Sequence, residues 1–191
     1  MHDDKRLMRR IAEGETRAFE ELVDSLGARV HRLARRYAAQ EADAEDLTQE
    51  IFLDVFRCAS RFRGDASLAT WVYRIALNHC LKHQNRATPV VEATDETQDF
   101  EADPMRHALR GELHDRVHGA LESLSPLHRD IVILHELHGL TYLECARVLN
   151  VPLGTVKSRL SNAFRALRQS LRPYVLDERS ETRTDALGEA L

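Results

Sequence analysis

The segment LTYLECARVLNVPLGTVKSRL (residues 140–160) carries the strongest structural signal in the chain. Its Thr141 and Glu144 form a capping-box pattern, in which the two residues satisfy each other's backbone N–H groups at a helix start. A short helix to Leu149 should follow. The residues NVPLG then break the periodicity, and helical spacing resumes at Thr155. A short helix, a tight turn and a longer helix together predict a helix-turn-helix.

The longer helix of this motif is amphipathic and basic. An apolar stripe of Val156, Leu160, Ala163 and Leu167 would pack inward, and residues 147–172 contain Arg and Lys but no Asp or Glu. Such a face can enter a DNA major groove or meet phosphates. The alternative is an ordinary helical hairpin whose cations are solvated. The residues predicted to contact duplex DNA are Thr155, Lys157, Ser158, Arg159, Ser161, Asn162, Arg165 and Arg168.

The bulk composition favours a globular protein that stays in the cytoplasm. The chain has 191 residues, of which 43% are hydrophobic and 30% charged, so it can bury one or two cores. No apolar run is long enough to span a membrane, and the amino terminus lacks the apolar core of a secretory signal, so we expect no membrane insertion. The three cysteines show no CxxC spacing, which argues against a disulfide framework or a structural zinc site.

The remaining sequence predicts further helices and no strands. Apolar residues spaced by three and four predict helices at 17–37, 42–58 and 68–84, and Ser125-Pro126 and Gly139 have the composition of a helix start and a helix end. The segment TPVVEATDETQDFEADP is acidic and poor in large apolar residues, as flexible linkers are. The predicted fold is all-α: an amino-terminal helical domain (1–86), a flexible acidic linker (87–104), a helix-turn-helix domain (105–173) and a polar tail (174–191).

A second cluster, FRGDASLATWVYRIALNHCLK (residues 62–82), combines aromatic and cationic side chains in a chain whose formal net charge is −4. Trp71 and Tyr73 offer flat faces on which unpaired bases can stack, and nearby cations can follow a nucleic-acid backbone. Asn78 has both a donor and an acceptor with which to read a base edge. The alternative is that Trp71 is a core residue.

Three segments in this order resemble the sigma-70 family, specifically its extracytoplasmic-function (ECF) group. They are DAEDLTQEIFLDVFR (43–57), FRGDASLATWVYRIALN (62–78) and LTYLECARVLNVPLGTVKSRL (140–160). With the spacing between them, the resemblance covers about residues 15–172. Members of this family are RNA polymerase initiation subunits that melt the promoter −10 element with an amino-terminal domain and read the −35 element as duplex with a carboxyl-terminal one.

The resemblance implies partners and site residues. The partners would be the RNA polymerase core, promoter DNA as duplex at −35 and single strand at −10, and an anti-sigma factor that holds the protein inactive and could be membrane-anchored. Three residues depart from the family pattern: Pro152 replaces a frequent capping residue, and Asn162 and Phe164 stand where Arg is common. The implied polymerase-binding residues are Asp46, Gln49, Glu50 and Asp54. The implied −10 residues are Arg63, Gly64, Asp65, Ala66, Ser67, Trp71, Tyr73, Arg74, Asn78 and Lys82.

The same residues are open to other interpretations. A helix-turn-helix regulator that binds operator DNA without polymerase would need neither the linker nor the 62–82 cluster. A metal sensor would use the i, i+4 pairs His79/His83 and His114/His118, although neither pair has obvious further ligands. Catalytic residues are not expected, because the sequence has no Gly-rich phosphate loop and no nucleophile elbow. We expect no enzymatic activity, no cofactor and no metal.

Overall fold

The computed structural model of the chain describes residues 2–86 and 116–185. The predicted linker and the first part of the predicted helix-turn-helix domain lie outside these residues. The described residues form helices and turns and contain no strand. The prediction of an all-α fold is confirmed.

The amino-terminal part contains helices in the order that the sequence predicts, preceded by one that it does not. The unpredicted helix is α1 (His2–Ala12), and the predicted ones are α2 (Thr16–Arg35), α3 (Glu41–Arg57) and α4 (Leu68–Arg86). A short 3₁₀ turn (Ala59–Arg61) lies between α3 and α4.

The carboxyl-terminal part contains the two helices of the motif at 140–160. Residues 116–122 are helical (α5), and α6 (Pro126–Val132) continues into a wider π turn (Ile133–Leu137). Helix α7 (Tyr142–Leu149) and α8 (Leu153–Asp185) follow. Helix α8 is longer than its apolar stripe predicts. Its backbone stays helical through Pro173 and into the segment predicted to be a polar tail. That segment includes Leu, Glu and Arg, which favour helix. None of the helices among the described residues is long and apolar enough to cross a membrane.

The described residues divide into two compact units. The first unit comprises residues 2–86 and 134–153, and the second comprises 116–133 and 154–185. The first unit therefore joins α1 to α4 with α7. The domain boundaries predicted from the sequence stay a prediction.

The core of the first unit is built from the apolar stripes of its helices. Each stripe contributes side chains that are almost fully buried, and burying one Leu or Ile contributes about 1.5–3 kcal/mol. The stripes include Leu22, Val30 and Leu33 from α2, Leu47, Ile51 and Val55 from α3, and Val72, Ala76 and Cys80 from α4.

Local sequence signals set several helix ends. The capping box is present: the Thr141 hydroxyl accepts a hydrogen bond from the Glu144 N–H, and the Glu144 carboxylate accepts one from the Thr141 N–H at 2.9 Å. Gly139 and Asn150 adopt the left-handed conformation, with φ of 67° and 53°. Ser125 lies at the predicted start of α6, but its side chain makes no capping hydrogen bond.

Candidate nucleic-acid interface

The loop before α4 is held by its own polar groups. Gly64 has φ of +76°, a left-handed conformation that favours glycine. The Ser67 hydroxyl accepts a hydrogen bond from the Thr70 N–H at 3.2 Å and pairs with the Thr70 hydroxyl at 2.7 Å. Ser67 thus caps the first turn of α4. The side chains of Arg63 and Asp65 are exposed on this loop.

Helix α4 aligns four of the predicted −10 residues on one face. Trp71, Arg74, Asn78 and Lys82 follow at intervals of three and four, and the last three are exposed. Trp71 is partly buried, with its ring edge-to-face against Phe62 at a centroid distance of 5.6 Å. This face, which we call the α4 face, presents an aromatic ring, two cations and an amide.

Tyr73 lies on the opposite side of α4. Its side chain is 1% exposed, and its hydroxyl is 3.1 Å from Nδ1 of His138. The Arg29 guanidinium lies 5.5 Å from the centroid of its ring, and burial raises the pKa of the phenol. Tyr73 is therefore not part of the exposed α4 face, and its predicted DNA contact stays a prediction.

His138 is a buried imidazole in the first unit. Burial, together with the nearby cations Arg32, Arg29 and Arg36, lowers its pKa to about 4. The ring is therefore neutral near pH 7, and its Nδ1 can accept the hydrogen bond that the Tyr73 hydroxyl donates. Arg29 also donates a hydrogen bond to the backbone oxygen of His138 at 3.1 Å.

Glu144 links the capping box of α7 to the start of α4. Its Oε1 accepts hydrogen bonds from the Thr70 hydroxyl at 3.1 Å and the Ser67 hydroxyl at 3.5 Å. The Thr141 N–H and the hydroxyls of Thr141, Thr70 and Ser67 hold the pKa of Glu144 below its usual range. The sequence identifies Glu144 only as part of a capping box, because Thr70 is 74 residues away.

Helix α3 exposes the acidic surface predicted to bind polymerase. Asp46, Gln49 and Glu50 are exposed, whereas Asp54 is partly buried and its carboxylate lies 3.1 Å from Nε2 of His79 on α4. Leu53, between these positions, is 52% exposed. Leu53 is not among the predicted polymerase-binding residues, although its place between polar positions on the outer face of the helix was an available signal.

The second unit carries the basic face of α8. Val156, Leu160 and Ala163 are buried, as the apolar stripe predicts. The Ser158 hydroxyl donates to the Thr155 backbone oxygen at 3.0 Å. Thr155 and Arg159 are partly buried at the edges of the stripe. The exposed residues are Lys157, Ser158, Ser161, Asn162, Arg165 and Arg168.

The described residues contain no group of three or more His, Cys, Asp or Glu side chains that could hold a metal ion. His79, from one of the predicted pairs, is 3.1 Å from Asp54. His114, from the other pair, lies outside the described residues.

Comparison with known proteins identifies the family. The Sigma-70 region 2 family matches residues 22–89, and the Sigma-70, region 4 family matches residues 114–167. The chain is 34% identical over 184 residues to the RNA polymerase sigma-H factor of Pseudomonas aeruginosa, covering 90% of this chain and 95% of that protein. It is equally identical, over the same length, to the ECF RNA polymerase sigma-E factor of Escherichia coli strain K12, covering 90% and 96%.

Solved structures also resemble the chain, among them two complexes. One is CnrH in complex with the cytosolic domain of CnrY, with 26% identity, a TM-score of 0.70 and coverage of 89% of this chain and 97% of that one. The other is RpoE in complex with the anti-sigma factor NepR from Bartonella quintana, with 21% identity, a TM-score of 0.65 and coverage of 81% and 96%; it shows the shared fold alone.

The chain belongs to the sigma-70 family. Within that family it is an ECF-group RNA polymerase sigma factor.

Proposed function

We propose that the chain directs RNA polymerase to promoters by capturing unpaired bases of the −10 element on the α4 face and the adjoining loop. The observation that carries this proposal is the alignment of Trp71, Arg74, Asn78 and Lys82 on one side of α4, beside loop residues 63–67. Tyr73 is left out, because it is buried on the other side.

Opening the promoter needs no covalent chemistry on the protein. Unpairing a base costs a few kcal/mol, and stacking on an aromatic side chain returns about 1–3 kcal/mol per base. Trp71 would supply the stacking surface, and Arg74 and Lys82 would follow the phosphates. Asn78 would donate to and accept from a base edge, so capture would depend on base identity. The protein acts as an initiation factor and not as an enzyme.

The −10 role is tested with the double variant Trp71→Ala, Asn78→Ala. Holoenzyme containing it should form closed complexes at near wild-type affinity but open complexes about tenfold to a hundredfold less, because stacking and edge contacts form only after melting. Permanganate reactivity of promoter thymines measures opening, and filter binding at low temperature measures the closed complex. Gln84→Ala, exposed on α4 but not on the α4 face, is the control. Wild-type permanganate reactivity in the double variant would reject the strand-capture role.

The basic face of α8 would read the −35 element as duplex. Its long exposed cations can reach guanine edges or phosphates, and Ser161 and Asn162 can hydrogen-bond to bases. The exposed Arg168 lies farther along the helix and suits a phosphate contact.

The acidic surface of α3 would dock on the polymerase core. Asp46, Gln49 and Glu50 surround the exposed Leu53, so the surface combines charge with an apolar centre. A partner that is basic at its rim and apolar within would complement it. Asp54 would contribute through its carboxylate, which His79 also engages.

An anti-sigma factor is the proposed inhibitory partner. CnrH and RpoE, which the chain resembles, were each solved with a bound partner, and NepR is an anti-sigma factor. The proposed site of action is the cytoplasm, where polymerase and promoter DNA are found.

A further inference from the structure

Helix α1 packs against the rest of the first unit. Its Met8 and Ile11 are 1% and 0% exposed, so the helix is anchored through two buried side chains. Arg10, near its end, donates two hydrogen bonds to the Glu15 carboxylate just before α2, at 2.7 and 2.5 Å. Residues of the first turn of α1 are therefore held in place relative to the rest of the unit.

One residue of that first turn completes the start of α4. The Asp4 carboxylate accepts a hydrogen bond from the Leu68 N–H at 3.2 Å. Leu68 is the first residue of α4, and the first N–H groups of a helix have no partner within it. The Ser67 hydroxyl accepts a hydrogen bond from a different backbone group of this turn, the Thr70 N–H. Asp4 thus supplies a second capping group from 64 residues away and places a negative charge at the positive end of the helix.

Lys5, the residue after Asp4, packs against the loop at Gly64. A Cβ atom at Gly64 would collide with Cε of Lys5 and lie 3.2 Å from its Cγ and Cδ. Gly64 is buried, and the aliphatic stem of Lys5 lies directly against it, although Lys5 is exposed overall. Long cationic side chains commonly pack their stems in this way while the charge stays in water.

We propose that Asp4 and Lys5 are positioning residues for −10 recognition, and that α1 sets the shape of the loop at residues 63–67 without touching DNA. Asp4 fixes the first turn of α4, from which Trp71 projects, and Lys5 fixes the loop at Gly64. This inference rests on the proposed −10 role of the loop and the α4 face. It extends that role to α1, which lies before the family match at residues 22–89.

The test uses full-length protein in holoenzyme with core polymerase from the native host. The probe is a pool of promoter templates randomised at the −10 and −35 elements, and sequencing of the transcribed templates gives the enrichment of each base. The variants are Asp4→Ala and the rescue variant Asp4→Asn, which keeps an acceptor oxygen. Asp3→Ala is the control, because Asp3 lies in the same turn, has a side chain that is 93% exposed, and has its carboxylate 4.0 Å from the exposed Arg6 guanidinium.

Asp4→Ala should reduce enrichment at −10 positions by about threefold to tenfold, a factor that corresponds to the usual free-energy cost of losing a helix cap. Enrichment at −35 positions should be unchanged. Asp4→Asn should keep most of the wild-type −10 enrichment, and Asp3→Ala all of it. A purely structural role would lower transcription equally for all templates and leave the enrichment ratios unchanged. That result would overturn the inference. If wild-type holoenzyme showed no −10 enrichment, the proposed function itself would fail.

Lys5 provides a second test if Asp4→Ala does not fold. Because Lys5 is an exposed residue, its replacement should leave the core intact. Lys5→Ala removes the stem over Gly64 and should also weaken −10 enrichment, whereas Lys5→Met keeps the stem without the charge and should restore it. Equal −10 enrichment in wild type, Lys5→Ala and Lys5→Met would contradict a role for the stem and overturn the inference.

Discussion

The imidazole of His138 gives the first unit a built-in dependence on pH. In the folded protein its pKa is lowered to about 4 by burial and by the cations Arg32, Arg29 and Arg36, from an ordinary value of 6.5. The unfolded chain therefore takes up a proton near pH 6.5, whereas the folded chain does so only near pH 4. The stability that His138 contributes is fully present above about pH 6.5 and is lost as the pH falls towards 4.

We expect His138→Phe to reduce this pH dependence. Between about pH 7.5 and pH 5 the wild type should lose about 2 kcal/mol of stability through His138, and the variant should not show that loss. The measurement is urea unfolding at both pH values, followed by the fluorescence of Trp71, the single tryptophan.

Tyr73→Phe is the control for this experiment. It removes the hydroxyl that bonds His138 but leaves the imidazole buried beside the same cations. Its pH dependence should resemble that of the wild type. An unaltered pH dependence in His138→Phe would show that burial of this imidazole does not govern acid stability.

Single residues were predictable from sequence where their effect is local. The capping box of Thr141 and Glu144 and the left-handed Gly139 depend on neighbours within a few positions, and the structure has both. The hydrogen bond of Tyr73 was not predictable, because its partner His138 is 65 residues away. Its burial agrees with its helical spacing to Ala76, Leu77 and Cys80, which are also buried, but its place among cations suggested a DNA contact instead.

At the scale of elements, helices with long apolar stripes or clear capping signals were predicted, and α1, which has neither, was missed. Helix α1 has only Leu7, Met8 and Ile11 at helical spacing, and its mean hydropathy is low because charged residues dominate it. Its stability comes from packing Met8 and Ile11 rather than from its own pattern. The loop at residues 63–67 therefore contacts a helix that the local sequence around residues 62–82 does not predict.

Two substitutions on α8 distinguish base reading from phosphate binding. Lys157→Ala should reduce discrimination among −35 sequences by about 1–3 kcal/mol if the exposed ammonium reads a base edge. Arg172→Ala, farther along the same helix and exposed, should instead weaken all sequences alike and reduce the salt dependence of binding. Holoenzyme binding to promoters with single −35 substitutions, at two salt concentrations, measures both. If Lys157→Ala weakened binding to all −35 sequences equally, Lys157 would contact a phosphate and not a base edge.

At the scale of the whole molecule, proximity in sequence does not decide which segments pack together. Residues 134–153, which include α7 of the predicted −35 domain, form a compact unit with α1 to α4. The contacts responsible include those of Glu144 with Thr70 and of His138 with Tyr73, which are polar and specific. Polar pairs of this kind leave no periodic pattern in the sequence, so neither could be predicted from it.

Charge reversal on α3 tests the proposed polymerase-binding surface. Reversal of Asp46 and Glu50, both to Lys, should weaken association with core polymerase about tenfold to a hundredfold, because each change replaces an attraction with a repulsion. The loss should be smaller at high salt, since exposed charges are screened. The measurement is titration of labelled core polymerase with each variant at two salt concentrations.

The matched control reverses Glu20 and Asp24, two exposed acidic residues at the same i, i+4 spacing on α2. It alters the net charge by the same amount but leaves α3 unchanged, so its association with core should stay within about twofold of wild type. Equal weakening by the two double variants would mean that net charge, and not the α3 surface, governs the interaction. Unchanged association for the α3 variant would remove Asp46 and Glu50 from the interface and leave the exposed Leu53 as the residue to replace next.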